Sequence, residues 1–238
     1  MMREAILRGC CGVSYASATN CCWKFHDRIR RCLRRQVQVH RSQGPCLRQP
    51  GRAAQYPRIK TRRSRLPADS ETRQVLDVPC GGGRVTVLLG QLGYEMSAGD
   101  YSDPMRQITR ETTAANGLKV EIFKEDIEQL SQRDQSFDAI VCFRFFHHLP
   151  NAELRRKVVG ELCRVARRHV AMSYFNPRTL RALEQEIRKL RGRKLTVFNT
   201  SLAEVSAYFA EYGFRLVKNF RLDLINNLHL AVFERAPR

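Results

Sequence analysis

From Val75 onward, hydrophobic and polar positions fall into a regular order. Short apolar runs at Val75–Val78, Tyr94–Gly99, Val120–Phe123, Phe137–Phe143 and His169–Tyr174 predict strands, and most of the segments between them carry apolar residues at helical spacing. Val85, Leu88, Leu89 and Leu92 share one helical face that stops at Gly93. Asp103 followed by Pro104 predicts an N-cap with proline in the first turn, and Asn116-Gly117 ends that helix. Asn151 is placed to cap a helix bearing Leu154, Val158, Val159, Leu162 and Val165, and Ser201 with Glu204 forms a capping box ahead of a helix ending near Gly213. Phe214–Phe220 and Leu228–Phe233 predict two final strands separated by too few residues for a crossover helix, so that pair is expected to be antiparallel. Strand alternating with helix implies an α/β fold with a largely parallel sheet.

The first 70 residues read differently. They lack a sustained period apart from a short helix around Asp27–Arg35, and they hold 16 Lys/Arg against 3 Asp/Glu, whereas the rest holds 26 against 20. The formal charge of +19 is therefore concentrated in a basic N-terminal extension of low expected order, residues 1–70, ahead of a domain spanning 71–238. Such an arm can bind phosphate without base specificity, which keeps nucleic acid as an alternative partner. Its aromatic residues are few (Tyr15, Trp23, Phe25 and Tyr56), so stacking on single strands is poorly supported. The odd count of 9 cysteines and the apolar surroundings of Cys80, Cys142 and Cys163 fit reduced thiols and a cytoplasmic protein. No apolar run approaches the length of a membrane span.

The most informative stretch runs from Val75 to Arg84, a hydrophobic strand entering Pro79-Cys80-Gly81-Gly82-Gly83 and then a helix. Glycines there allow close backbone approach to a ligand, and a helix start offers unpaired N–H groups. A dinucleotide fingerprint would need glycine three positions after Gly83, where Thr86 stands, and the Gly-Lys-Ser/Thr of a phosphate loop is absent. The next strand ends in Asp100, placed at the switch point of a doubly wound sheet where a carboxylate can accept from both hydroxyls of a ribose. Asp126 and Ile127 follow the third strand and could hold an adenine by its amino group and its face.

Taken in order, Leu76–Arg84, Gly99–Met105, Glu125-Asp126-Ile127 and Phe137–Cys142 followed by His147-His148-Leu149 resemble the successive motifs of class I S-adenosylmethionine-dependent methyltransferases of the small-molecule type, over about residues 72–235. The resemblance implies a Rossmann-like, doubly wound, seven-stranded sheet with its last strand antiparallel. It also implies S-adenosylmethionine as cofactor, a small-molecule methyl acceptor, no metal, and cofactor contacts from Asp77, Pro79, Gly81, Gly83, Asp100, Tyr101, Asp126, Ile127 and Phe143. Pro79 departs from the family pattern, which usually has the loop's first glycine there, and removes one backbone donor.

Methyl transfer from a sulfonium is an in-line displacement that rests on alignment, and a base is needed only where the acceptor atom must lose a proton. His147 is the expected proton acceptor, with Arg144, His148 and Tyr174 expected to bind the acceptor. Each also has a structural reading, as a loop-orienting histidine, an arginine paired with a carboxylate, or a core tyrosine. The other functions kept open are methylation of RNA or other nucleic acid through the basic arm, and a non-catalytic module that binds S-adenosylmethionine.

Overall fold

The computed structural model describes Ile29, Arg30, Leu33 and residues 72–177, 197–222 and 227–237. Seven strands, β1 (Gln74–Asp77), β2 (Glu95–Asp100), β3 (Glu121–Lys124), β4 (Phe137–Cys142), β5 (Ala166–Phe175), β6 (Phe214–Arg221) and β7 (Leu228–Arg235), form one sheet in the order β3-β2-β1-β4-β5-β7-β6. Only β7 runs against its neighbours, pairing antiparallel with both β5 and β6. This is the expected doubly wound α/β sheet, and its strand order reverses between β1 and β4.

The strands are apolar on both faces because helices cover both. Leu76, Val78, Ile140, Cys142, Val170 and Met172 point into one core cluster with Val158, Val159 and Leu162 of α3 (Ala152–Val165) and Val205, Tyr208 and Phe209 of α4 (Leu202–Ala210). The alternate residues Val75, Ala139, Val141 and Ala171 point into a second cluster with Val85, Leu88 and Leu89 of α1 (Arg84–Gln91). The period of two thus feeds two cores, and each fully buried large aliphatic or aromatic side chain contributes about 1.5–3 kcal/mol. Phe209 stacked on Phe233 with ring centroids 3.8 Å apart shows how closely α4 lies on the sheet.

Ile29 and Leu33, one helical turn apart, are both fully buried in the second cluster, and Arg30 lies 5.0 Å from the centroid of the Phe220 ring. The apolar positions of the expected Asp27–Arg35 helix are therefore core residues. The remaining expectation of low order for residues 1–70 falls outside the described residues.

The helix starts differ from the sequence reading in one respect. The N-cap of α2 (Asp103–Ala115) is Ser102, which has extended backbone and whose Oγ accepts from the Met105 N–H at 3.5 Å; Asp103 is already helical and pairs with Arg106. Asn151 caps α3 as expected, accepting from Leu154 N–H at 2.8 Å. Ser201 accepts from Glu204 N–H at 3.1 Å, while the Glu204 carboxylate accepts from Arg155 at 2.9 Å and the Tyr208 hydroxyl at 2.7 Å. Among the described residues no helix is long and apolar enough to cross a membrane, and Cys80, Cys142 and Cys163 are buried free thiols.

Candidate active site

The strand order reverses between β1 and β4, and the carboxyl ends of β2 and then β3 follow beside β1 in the same sheet. Asp77 ends β1, is 1% exposed and accepts from Thr86 Oγ1 at 2.6 Å. Burial pushes its carboxyl up to about 7, against a smaller lowering by the Thr86 hydrogen bonds. The loop after it is stitched to both flanking strands, with Val78 N–H donating to Val141 at 3.0 Å and Cys80 N–H to Gly99 at 2.8 Å. Pro79 follows Val78 through a cis peptide bond. Desolvation and the neighbouring Asp77 push the Cys80 thiol up to about 12, which favours the neutral thiol.

Gly81 and Gly83 both adopt left-handed backbone, with φ of 51° and 73°. A Cβ at Gly83 would lie 2.9 Å from Thr109 Cγ2, so this glycine lets the loop rest on α2. At Gly81 a Cβ would meet no atom within 4 Å, leaving open space along the loop. The loop is held from beneath by Thr109, whose Oγ1 donates to Gly81 O at 2.6 Å. Thr86 and Thr109 were missed from the sequence, although both sit on buried helical faces pointing at the loop.

Asp100, at the end of β2, is 8% exposed. Its Oδ2 accepts from Gly81 N–H and its Oδ1 from Ser102 N–H, each at 2.9 Å. The residue expected to take ribose hydroxyls is thus first a clamp that joins the glycine loop to the start of α2, and each oxygen keeps a second lone pair for a ligand. Arg106 reinforces the same turn by donating to the carbonyls of Asp100 and Tyr101, each at 2.8 Å. Tyr101 itself is 66% exposed, with Lys124 Nζ 5.6 Å from its ring centroid.

Beyond β3, Asp126 is exposed and accepts from Glu128 N–H at 2.9 Å, while Ile127 is buried in the first core cluster. The turn is shaped by Glu125, 2% exposed, which accepts from Ser131 N–H at 2.9 Å and from Ser131 Oγ and Gln132 Nε2 at 2.7 Å each. Glu125 was visible in the sequence only as a neighbour of Asp126.

After β4, Phe143 packs partly buried against the second cluster, and a 3-10 turn at Phe146–His148 follows. The two histidines do not divide as expected. His147 is 3% exposed and stacks on Phe175 with centroids 4.0 Å apart; its carbonyl accepts from Phe198 N–H at 2.7 Å. Burial, then the neighbouring His148 and Arg144 charges, push it down to about 3. His147, the expected proton acceptor, is thus the enclosed imidazole of the pair, with burial lowering its basicity. His148 is the exposed imidazole of the pair. Tyr174 is likewise enclosed: it is fully buried in the first cluster, its hydroxyl donates to Asn219 Oδ1 at 3.2 Å, and burial raises it to about 12. Arg144 is exposed, at the mouth of the site. Among the described residues no group of three or more His, Cys, Asp or Glu side chains is placed to hold a metal ion.

Residues 75–169 match the family model described as a methyltransferase domain. Curated relatives include ubiquinone biosynthesis O-methyltransferases from Xanthomonas axonopodis pv. citri, 30% identical over 79 residues and covering 33% of each chain, and from Rickettsia felis, 29% identical over 85 residues, covering 36% of this chain and 34% of the relative. The chain thus spans about a third of the length of the curated relatives it matches. Similar solved structures include a magnesium protoporphyrin IX methyltransferase from Synechocystis PCC 6803 with bound SAH, with a TM-score of 0.59 at 20% identity over 69% of this chain and 75% of that one. A SAM-dependent methyltransferase from Methanosarcina mazei gives a TM-score of 0.62 at 18% identity over 69% of this chain and 93% of that one. Residues 75–169 are thus similar to a methyltransferase domain, and the sheet has the fold of the solved methyltransferases.

Proposed function

We propose that the protein transfers a methyl group from S-adenosylmethionine to a small-molecule acceptor. The observation that carries this reading is Asp100, a carboxylate at the switch point that holds the glycine loop and α2 together and retains lone pairs for a ribose. The open space along Gly81 fits a cofactor lying against the loop backbone. S-adenosylmethionine, when bound, supplies a methyl group activated by its sulfonium. Asp100 accepts from the ribose hydroxyls, the exposed Asp126 carboxylate accepts from the adenine amino group, and Ile127 and Phe143 offer apolar surface. Pro79 and Tyr101 border the same pocket, and Asp77 lies beneath the loop.

The residues after β4 serve the acceptor. His148, the exposed imidazole, takes the proton where the acceptor atom is a hydroxyl oxygen; the relatives named O-methyltransferase favour such an atom. His147 positions that turn by its stack on Phe175 and its carbonyl bond to Phe198. Alignment rather than a strong base then accounts for most of the rate. The catalytic domain is taken as residues 71–238, with Ile29 and Leu33 completing its second core. The free buried thiols favour a cytoplasmic setting.

The test is to incubate the full chain with cofactor tritiated on its methyl group and a fractionated cell extract. Label is expected in the small-molecule fraction, and Asp100→Ala should reduce it at cofactor concentrations near the unmodified protein's Kd. Label confined to nucleic acid would overturn the acceptor class, and no transfer to any fraction would favour a binding module.

A further inference from the structure

Arg144 follows the apolar run of β4 at φ 59°, a backbone conformation that residues with a Cβ seldom adopt. It is held there by Ser173 in β5, whose fully buried Oγ accepts the Arg144 N–H at 2.6 Å. Strain of this kind persists only where the surroundings over-determine it, and it places a long cation at the mouth of the site. Because the tether is to β5, Arg144 stands on the opposite side of the β1/β4 boundary from Asp100 and Asp126, which belong to the β2 and β3 side.

A second cation follows β1, the strand paired with β4. Arg84 opens α1 directly after Gly83, and the first turn of that helix contains no acid. A positive side chain there opposes the usual preference, since the N-terminal end of a helix already carries partial positive charge. Burial, and then Arg84, hold Arg144 below its ordinary range. Six other arginines of the domain, Arg106, Arg155, Arg156, Arg164, Arg167 and Arg215, each rest on a carboxylate. Neither Arg84 nor Arg144 has such a partner among the described residues. Nearby, the buried Nδ1 of His147 also has no hydrogen-bond partner among them. The carboxyl end of β4 and the start of α1 thus carry two guanidiniums with no carboxylate partner among the described residues.

We infer that Arg144, assisted by Arg84, receives an anionic group of the methyl acceptor, a carboxylate or a phosphate. The planar fork of a guanidinium matches either group with two parallel hydrogen bonds. The inference rests on the reading of the site as a methyl-transfer pocket and names the acceptor class it takes. The cofactor's methionyl carboxylate also lies away from adenine, so retained S-adenosylhomocysteine affinity in an Arg144 variant is the result that assigns Arg144 to the acceptor.

The test uses the full chain and calorimetry. S-adenosylhomocysteine is titrated first, and the loaded protein is then titrated with benzoate, phenyl phosphate or benzyl alcohol. One of the two anions is expected to bind and the neutral alcohol is not, and the preferred anion identifies the acceptor's group. Arg144→Gln should weaken that anion at least tenfold while leaving S-adenosylhomocysteine affinity within twofold, which also reports that the variant is folded. If Arg144→Gln does not fold, Arg144→Lys, which keeps the charge and loses the fork, should still weaken the anion with cofactor affinity retained. Equal binding of alcohol and anions, binding of neither anion, or a parallel loss of S-adenosylhomocysteine affinity in the Arg144 variant would overturn the inference. A chain that fails to bind S-adenosylhomocysteine overturns the methyl-transfer reading as well; one that binds it but neither anion overturns this inference alone.

Discussion

Asp77→Asn should make the unliganded protein more stable, by an amount that grows with pH. The carboxyl is fully enclosed at the end of β1, and burial raises it from its ordinary 3.8 to about 7. Between those values the folded protein keeps a proton that the unfolded chain has released, so stability falls as pH rises through that window. The slope is about 1.4 kcal/mol per pH unit, and the whole window is worth about 4 kcal/mol. Above pH 7 the carboxylate is ionised in both states and the full burial cost remains. Asparagine has nearly the same shape, can still accept from Thr86 Oγ1, and carries no charge at any pH. Urea unfolding of both proteins at intervals from pH 4 to 8 should give curves that nearly coincide at pH 4 and diverge steadily up to pH 7, with the variant the more stable. A stability difference that stays constant across that range would refute the claim that burial holds Asp77 protonated.

His147 should act in the opposite sense: its folded value of about 3 means that only the unfolded chain gains a proton as pH falls below 6.5, so stability is intact above that and declines toward pH 3. His147→Phe, which keeps the stack on Phe175, should remove that decline in acid unfolding followed by circular dichroism. Gly83→Ala puts a Cβ on left-handed backbone 2.9 Å from Thr109 Cγ2 and should cost about 1–2 kcal/mol or more in urea unfolding, partly recovered by adding Thr109→Ser. Leu33→Ala in the full chain should destabilise by about 2–5 kcal/mol in the same assay, because Leu33 is fully buried among Val75, Val85 and Leu89. An effect near zero would mean that the basic extension adds nothing to the core.

The strands were legible because a buried sheet writes itself as short apolar runs, and the two-faced core confirms the period of two at Val75, Leu76, Ala139 and Ile140. Caps carried by one residue's own side chain, such as Asn151, were legible for the same local reason. Features set by distant partners were not. β5 begins at Ala166 directly after α3 because Arg235, far along the chain, donates to the carbonyls of Cys163 and Ala166 at 2.7 Å each. The helix begins at Asp103, so the extended residue before it, Ser102, is the cap, and the Asp103 carboxylate pairs with Arg106 instead. In the site, residue identity placed Asp77, Gly81, Gly83 and Asp100 together. It did not distinguish two adjacent histidines, because which imidazole is enclosed depends on Phe175 and Phe198 from other elements. The isolated apolar pair Ile29 and Leu33 was too short a signal to mark as core inside a basic segment.

The most direct test of the cofactor site is one titration: S-adenosylhomocysteine into the full chain, with and without Asp100→Ala. The unmodified protein should bind one equivalent, and the variant, folded by circular dichroism, should bind more weakly by about 1.5–3 kcal/mol, the range for hydrogen bonds to a charged group. Absence of binding by the unmodified chain, or equal affinity in a folded Asp100→Ala variant, would contradict the assignment of the β2 end as the cofactor's anchor.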